Sequence, residues 1–350
     1  MERLCDGMVL VDAPIAAEAR RVHSRCPFFR PSIFANALMS NAPADKTTAP
    51  RTAFVLAGGG SFGAIQVGML RALVAHGVTA DFVVGASVGA INGAYFAGKP
   101  TADGVSELDE IWRAMSRRDI FPVTWRSLLG VVRGSGYFAS SDGMRRLIES
   151  HLPYRNLEEA VIPVYVVATN VLSGEMIVFS KGPAVNAILA SAAIPAAFAP
   201  VEYEDLFLVD GALTSNTPIQ VAVDLGAERL IVLPTGFACA LERPPHGAMA
   251  SALHAITLLI ARQLAHDLER VEKAIEVRIV PPLCPLNGSA YDFAQTGTFI
   301  ERAAAATERW IGEGGLGVYH LPCGLSAHSH RGEADPHDHR LADAGQEQAH

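Results

Sequence analysis

A serine occupies the centre of a Gly-Ala-Ser-Val-Gly pentapeptide at residues 85–89, where the sequence pattern changes from strand to helix. The apolar residues 82–84 are typical of a buried strand, and the small residues after the pentapeptide are typical of a helix. A serine on such a turn presents its hydroxyl clear of the sheet, as a nucleophile requires. Gly85 and Gly89 lack Cβ atoms and so permit the tight bend. We therefore predict that Ser87 is a nucleophile on an elbow framed by these two glycines.

A second turn, Gly-Gly-Gly-Ser-Phe-Gly at residues 58–63, follows the apolar run 53–57 and opens another helical pattern. About two dozen residues separate it from Ser87, which is room for one helix and one strand, and a right-handed crossover makes the two strands close neighbours. Both turns are therefore predicted to open at the same edge of the sheet. Backbone N–H groups at the helix N-terminus can then point at an oxygen beside Ser87 and form an oxyanion hole. The predicted donors are Gly58, Gly59, Gly60 and Ser61.

The third feature is Asp210, in a Leu-Val-Asp-Gly-Ala stretch at residues 208–212 that ends an apolar run. A carboxylate beside the serine hydroxyl can accept its proton. An aspartate with the reference pKa of about 3.9 is a weak base for this purpose, so we expect the apolar neighbours Leu208 and Val209 to raise that pKa. The alternative is that Asp210 is a turn or capping residue ahead of Gly211.

Together, the Gly-rich turn, the G-x-S-x-G serine and the later Asp-Gly pair resemble the patatin-like phospholipase family. The blocks Ala-Ser-Ala-Ala-Ile-Pro at 190–195 and Asn-Thr-Pro-Ile at 216–219 are also similar to that family, and the similarity extends from Arg51 to Leu233. The resemblance implies an α/β fold of three layers, with a mostly parallel central sheet flanked by helices. One departure is Phe62, which stands in the Gly-rich turn where family members often carry a basic residue.

The resemblance also implies the chemistry. Ser87 would attack a carboxylic ester carbonyl, Asp210 would take the serine proton directly, and the turn amides would hold the oxyanion before water hydrolyses the acyl-enzyme. It implies a Ser87–Asp210 dyad, no metal or other cofactor, and an acyl lipid substrate, either a phospholipid or a lysophospholipid. The residues themselves indicate only an ester or a thioester.

Three alternatives compete with this interpretation. The glycines at 58, 60 and 63 fit the G-x-G-x-x-G pattern of dinucleotide binding. The acid that should end the second strand is missing, however, because Asp81 begins that strand and Ser87 lies where it stops. A Ser-Asp-His triad of the α/β-hydrolase kind would need a histidine after Asp210, and none has a matching loop context. The remaining alternative keeps the fold without the chemistry, as a lipid-binding pseudoenzyme. The candidate histidines are His246, His254 and His266.

The composition argues against several other classes of protein. A net charge of −8 and a pI near 5.8 argue against a nucleic-acid-binding surface, which needs clustered Lys and Arg. The five cysteines are widely spaced and contain no C-x-x-C pair, so neither a disulfide framework nor a zinc site is indicated. Glu2 and Asp6 occupy the region where a signal peptide would be basic, and no apolar run reaches the roughly eighteen residues of a membrane span. We therefore expect a cytoplasmic protein.

Three regions are predicted along the chain. Residues 1–50 show no sustained periodicity and form an N-terminal extension that is partly irregular. Residues 51–322 form the catalytic domain, with its core motifs at 53–235. Residues 323–350 are rich in His and acidic residues and are expected to be disordered, because they cannot bury enough apolar surface.

Within the domain, the β-branched run 161–169 and the run 174–179 are predicted to pair as a hairpin, which makes the sheet mixed. A helix beginning at Pro218 and a strand after it restore the α/β alternation. The further predicted elements are strands at 229–233 and 277–280, a long helix at about 246–275, and a final helix at 293–312.

Two features bear on partners. Five arginines cluster around Trp125, either as a solvated helix end and loop or as a rim that meets anionic lipid headgroups. The long helix carries an apolar stripe that fits either core packing or membrane docking. We predict an acyl lipid as the substrate and no nucleic acid, with peripheral membrane contact left open and the oligomeric state unassigned. The arginines are Arg113, Arg117, Arg118, Arg126 and Arg133.

Overall fold

The computed structural model describes residues 8–11 and most of residues 49–317. The gaps are 121–136, 138, 196, 237–238, 240–250, 287–288 and several positions between 252 and 273. Some predictions lie outside the described residues, namely most of the long helix, the surroundings of Trp125 and the tail 323–350. The N-terminal extension also lies outside them, apart from residues 8–11 and the last two residues before position 51.

A mixed sheet of nine strands forms the centre of the described part of the chain. The strands are β1 (Met8–Val11), β2 (Thr52–Leu56), β3 (Phe82–Ala86), β4 (Val164–Asn170), β5 (Met176–Phe179), β6 (Val201–Tyr203), β7 (Leu206–Asp210), β8 (Arg229–Leu233) and β9 (Glu276–Ile279). Their order is β1-β5-β4-β3-β2-β8-β9, and β7 pairs with both β4 and β6. Strands β4, β3, β2, β8 and β9 run parallel to one another, whereas β5 is antiparallel to β4. The predicted hairpin and fold class are therefore confirmed.

The register along β4 explains how two distant parts of the chain meet. Strand β3 runs parallel to β4 and ends where Ala86 pairs with Val167, whereas β7 runs antiparallel and ends where Asp210 pairs with Ala168. Because β5 occupies the other edge of β4 at both positions, β3 and β7 lie on the same edge and run towards each other. Their C-terminal ends therefore meet, which brings the residue after β3 next to Asp210.

Helices cover both faces of the sheet. They are α1 (Gly63–Ala75), α2 (Val88–Gly98), α3 (Ala102–Ala114), α4 (Arg117–Ile120), α5 (Asp142–His151), α6 (Ala184–Ser191), α7 (Ala212–Ser215), α8 (Ile219–Asp224) and α9 (Thr296–Gly312). Along β2, Phe54 and Leu56 belong to one hydrophobic core, and Ala53 and Val55 belong to the other. The first core includes residues of α1, α2, α3, α5, α6 and α9, and the second includes residues of α8. The result is the three-layer arrangement that was predicted.

Most predicted boundaries agree with the observed ones to within one to three residues. The helix predicted from Pro218 begins at Ile219, and the strand at 229–233 is β8. The final helix begins at Thr296 instead of 293. Phe293 lies ahead of the helix and stacks on Trp112, with ring centroids 6.2 Å apart. No helix among the described residues combines the length and the apolar character needed to cross a bilayer.

Candidate active site

Ser87 lies on a strained turn between β3 and α2. Its backbone angles are φ 54° and ψ −126°, in a region that residues with a Cβ rarely adopt. The turn has this shape because α2 begins at the very next residue, so the chain must reverse within one peptide unit. The N-terminus of α2 therefore points at the same region as the Ser87 hydroxyl. This is the geometry expected of a nucleophile elbow.

The two glycines that frame the elbow are required by close backbone contacts. A Cβ at Gly85 would lie 2.4 Å from the carbonyl oxygen of Gly89, and a Cβ at Gly89 would lie 2.2 Å from that of Leu56. Both distances are far below van der Waals contact, so a side chain at either position would force α2 away from the sheet. Both positions therefore need a residue without a Cβ atom.

Ser87 and Asp210, which are 123 positions apart, share a hydrogen bond. Ser87 Oγ donates to Asp210 Oδ2 at 2.7 Å, and the N–H of Ala212 donates to Asp210 Oδ1 at 2.8 Å. Asp210 is only 4% exposed. Burial raises the pKa of Asp210 to about 6, although the hydrogen bonds from Ala212 and Ser87 oppose this rise. At neutral pH the carboxylate is therefore ionised, and it is a better proton acceptor than an ordinary aspartate.

The end of α6 and the turn after it hold both of these residues. Ser191 Oγ accepts a hydrogen bond from the N–H of Ser87 at 2.9 Å and donates one to the carbonyl of Val167 at 2.6 Å. Two residues further on, the carbonyl of Ala193 accepts the N–H of Asp210 at 3.0 Å. The sequence marked this block only by its family similarity, because a serine that bonds distant backbone groups has no local sequence signature.

The Gly-rich turn presents fewer free amides than the sequence predicted. Gly58 N–H already donates to the carbonyl of Asn216 at 3.0 Å, and Ser61 N–H donates to that of Ala290 at 2.7 Å. These two amides therefore cannot also bind an oxyanion. Neither Gly59 N–H nor Gly60 N–H has an acceptor in the part of the chain that the structure describes. Of the four predicted donors, only these two remain available.

Two segments outside the predicted motifs fix this turn in place. Thr235 Oγ1, just after β8, donates to the carbonyl of Gly58 at 2.6 Å. Gly60 has a φ of 60°, and a Cβ there would lie 2.2 Å from the Ala290 carbonyl oxygen, so only glycine fits. Ser61 Oγ also donates to the carbonyl of Ser289 at 3.2 Å. The loop before α9 therefore braces the turn from outside.

A buried polar network supports the turn from below. Gln66 Nε2 donates to the carbonyls of Ala57, at 2.8 Å, and Leu233, at 3.0 Å. Asn92 Nδ2 donates to Gln66 Oε1 at 2.9 Å, and Trp112 Nε1 donates to Asn92 Oδ1 at 2.9 Å. Helices α1, α2 and α3 are thus joined by hydrogen bonds beneath the Gly-rich turn.

A cavity lined by both polar and apolar residues opens onto Ser87 and Asp210, and we call it the dyad cavity. Its volume is about 780 Å³, including its open mouth. Asn216 and Tyr291 line it. Burial raises the pKa of Tyr291 to about 12, and the negative charge of Asp210 also raises it. Tyr291 therefore stays protonated at neutral pH within electrostatic range of Asp210. Sequence reasoning missed Tyr291, because the loop before α9 carries no recognisable motif.

A second cavity, of about 540 Å³ including its mouth, meets the first at Ser87, Gly60 and Ile194. Every other side chain that lines it is apolar or aromatic, and these residues come mainly from α2, α3 and α5. Ser87 therefore lies between the dyad cavity, which contains Asp210 and Asn216, and an apolar cavity. The other lining residues are Val88, Ile91, Trp112, Met115, Ile120, Met144, Leu147, Ile148, Ala192 and Phe293.

The described residues give no support to the triad or the dinucleotide alternative. Asp210 accepts hydrogen bonds from Ser87 and Ala212, and none of the described histidines bonds to it. His254 is among those described, whereas His246 and His266 lie outside the described residues. Asp81 precedes β3 and accepts the N–H of Thr52 at 2.6 Å, so it lies at the opposite end of that strand from Ser87.

The fold and the site define a three-layer α/β protein with a serine on a nucleophile elbow, next to a Gly-rich turn and a buried carboxylate. Residues 54–223 of the chain match the family model described as "Patatin-like phospholipase". The resemblance seen in the sequence is thereby confirmed.

The relatives that the chain matches are larger proteins. It is 28% identical over 189 residues to an uncharacterized NTE family protein of Mycobacterium bovis, a match that covers 53% of this chain and 49% of that protein. It is also 28% identical over 182 residues to the lysophospholipase NTE1 of Cryptococcus neoformans, covering 52% of this chain and 11% of that protein. This chain therefore matches half or less of the length of either relative.

Among solved structures, VipD from Legionella pneumophila is 16% identical to this chain, with a TM-score of 0.43. The match covers 76% of this chain and 67% of that chain.

Proposed function

We propose that this protein is a serine acyl hydrolase that cleaves carboxylic ester bonds of lipids through a Ser87–Asp210 dyad. The observation that carries the proposal is the 2.7 Å hydrogen bond from Ser87 Oγ to a buried carboxylate, made by a serine on a strained elbow. Asp210 accepts the serine proton as Oγ attacks the ester carbonyl, and it then returns the proton to the leaving alkoxide. Water hydrolyses the acyl-enzyme in the second half of the reaction.

The two unpaired amides of the Gly-rich turn support an oxyanion hole with two donors instead of the four that the sequence predicted. Gly59 and Gly60 supply the donors, and the bonds from Thr235 and to Ala290 hold the turn so that the donors need no rearrangement during the reaction. Preorganised donors of this kind lower the barrier to acyl transfer by roughly 3–4 kcal/mol each.

The two cavities support a lipid substrate. An acyl chain fits the apolar cavity, because its walls offer no partner for a polar group beyond Ser87 and Gly60. The alcohol part of the ester then occupies the dyad cavity beside Asp210, where the leaving oxygen needs its proton. The name of the lysophospholipase relative agrees with this substrate class.

The direct test incubates the purified protein with phospholipids that carry two different acyl chains and analyses the products by mass spectrometry. We expect free fatty acid and a lysophospholipid or a deacylated product. Ser87→Ala and Asp210→Asn should each lower the rate by at least about a thousandfold.

Matched control variants are available for both substitutions. Ser173 is an exposed turn residue whose hydroxyl donates to Glu175 at 2.9 Å, and Asp142 belongs to another Asp-Gly pair, at the start of α5. Ser173→Ala and Asp142→Asn should leave the rate unchanged. An inert wild-type protein would overturn the proposal in favour of a lipid-binding pseudoenzyme. Full activity in Ser87→Ala would overturn the Ser87–Asp210 dyad.

A further inference from the structure

The Oδ1 atom of Asn216 is buried beside the dyad and has no hydrogen-bond partner among the described residues. Asn216 is 5% exposed, and no described residue donates to its Oδ1. A buried acceptor left unpaired lowers the free energy of unfolding by about 1–3 kcal/mol. An apolar side chain of the same shape would avoid this cost. The backbone carbonyl of the same residue accepts the N–H of Gly58, so the segment is already fixed without the side chain.

Asn216 Oδ1 also lies close to the nucleophile. If Gly58 carried a Cβ, that atom would be 2.5 Å from Asn216 Oδ1 and 3.0 Å from Ser87 Cβ, so the bare α-carbon of Gly58 separates the two side chains. Asn216 and Asp210 both line the dyad cavity, and neither lines the apolar one. The unpaired acceptor therefore stands on the side of Ser87 where the leaving group departs under the proposed function.

We propose that Asn216 Oδ1 positions the water that hydrolyses the acyl-enzyme, an inference that rests on the proposed function. The attacking water occupies the place that the leaving oxygen has vacated. Its oxygen forms a bond to the acyl carbon, one of its protons passes to the Asp210 carboxylate, and its other O–H donates to Asn216 Oδ1. When the tetrahedral intermediate collapses, the bond to Ser87 Oγ breaks, Oγ regains the proton from Asp210, and the carboxylic acid leaves.

This assignment makes Asn216 specific to one half of the reaction. The ester oxygen that leaves in the first half carries a carbon where the water carries its second hydrogen, so it has nothing to donate to Oδ1. An alcohol that attacks the acyl-enzyme likewise has a single hydrogen, which Asp210 takes. Asn216 should therefore assist hydrolysis much more than acylation or alcoholysis.

The test compares wild-type protein with Asn216→Leu on a p-nitrophenyl ester, with rapid-mixing kinetics and intact-protein mass spectrometry. We expect the first turnover to keep its wild-type rate, a burst of one nitrophenol per protein, and then a steady state about tenfold slower. The acyl adduct on Ser87 should accumulate. Adding methanol should restore turnover and raise the ratio of methyl ester to free acid about tenfold over wild type.

Control variants separate this role from a structural one. Asn186 accepts a hydrogen bond from Arg145 at 3.2 Å and lines neither cavity, so Asn186→Leu should leave both phases and the product ratio unchanged. Asn216→Ala is measured in parallel, so that a folding defect in one variant does not remove the test.

Three results would overturn the inference. The first is equal slowing of acylation and steady-state turnover in the Asn216 variants, and the second is a methyl ester to acid ratio that stays at the wild-type value. In both cases the proposed function stands, because wild-type protein still acylates Ser87. The third is the absence of any acyl adduct in wild-type protein, which would overturn the proposed function as well.

Discussion

The ring of Phe62 packs edge-on against the ring of Phe299, with centroids 5.9 Å apart and planes at 73°. Phe62 is 1% exposed, so its side chain belongs to the core between the Gly-rich turn and α9. The family resemblance places a basic residue at this position in many members. In this protein the position points into the core and contributes packing, and no charge from it reaches the oxyanion donors.

Replacing Phe62 by arginine should therefore destabilise the protein and should not improve catalysis. The substitution removes a buried aromatic contact and buries a guanidinium, which together cost at least about 3 kcal/mol of the free energy of unfolding. Urea denaturation measures this loss. Phe62→Leu is the control and should cost less than about 2 kcal/mol. Wild-type stability together with faster hydrolysis of anionic esters in Phe62→Arg would show that the charge does reach the site.

The rate of ester hydrolysis should follow the ionisation of Asp210. Only the carboxylate can take the proton from Ser87, and burial raises its pKa to about 6. We expect kcat/KM for an uncharged ester to rise about tenfold per pH unit below pH 6 and to level off above about pH 7. Chromatographic product analysis measures this without interference from an ionisable reporter. A profile that is already flat from pH 4.5 upwards would contradict the assignment.

The burial of Asp210 should also make the folded protein less stable as the pH rises from about 4 to about 7. The Asp210 carboxyl ionises at its ordinary pKa of about 3.9 in the unfolded chain but near 6 in the folded protein, so between these values the folded state holds more protons. The free energy of unfolding then decreases by roughly 2–3 kcal/mol from pH 4 to pH 7 on account of this group.

Asp210→Asn cannot ionise and should escape this loss. The variant should be more stable than wild type in urea at pH 8, and the difference should shrink towards pH 4. Asp142→Asn, which alters an exposed carboxyl group, is the control and should follow the wild-type curve. A constant difference between Asp210→Asn and wild type at both pH values would contradict the raised pKa.

The apolar cavity should set the acyl-chain length that the protein accepts. Met144 on α5 lines this cavity, and its side chain is buried. Met144→Trp should fill part of the space and lower kcat/KM for twelve-carbon esters by about tenfold or more, while four-carbon esters react as in wild type. Leu213→Trp alters the dyad cavity and should leave the chain-length preference unchanged. Equal losses on short and long esters would contradict this role.

The sequence was sufficient for the features that depend on local pattern. The elbow at Ser87, the hairpin of β4 and β5, and the strand that ends at Asp210 each have a local periodicity or a glycine signature, and the structure contains all of them. The sequence could not predict features that depend on contacts between distant residues. The Gly58 and Ser61 amides donate to carbonyls that are more than 150 positions away in the chain. No local sequence pattern encodes such contacts.

The meeting of the two proposed catalytic residues is another such feature. Whether β3 and β7 approach each other end to end depends on the register along β4, where Val167 and Ala168 pair with the ends of the two strands. A shift of one residue would have turned Asp210 to the other face of the sheet. The sequence supplied the two residue types, and the tertiary register supplies their 2.7 Å hydrogen bond.

The most direct test of the central claim is the reaction of the folded protein with a fluorophosphonate, followed by peptide mass spectrometry to locate the phosphonylated serine. We predict that Ser87 alone is modified at pH 7.5, that Asp210→Asn reacts at least about a hundredfold more slowly, and that unfolded protein does not react. Modification of a different serine, or a rate in Asp210→Asn equal to that of wild type, would contradict the dyad.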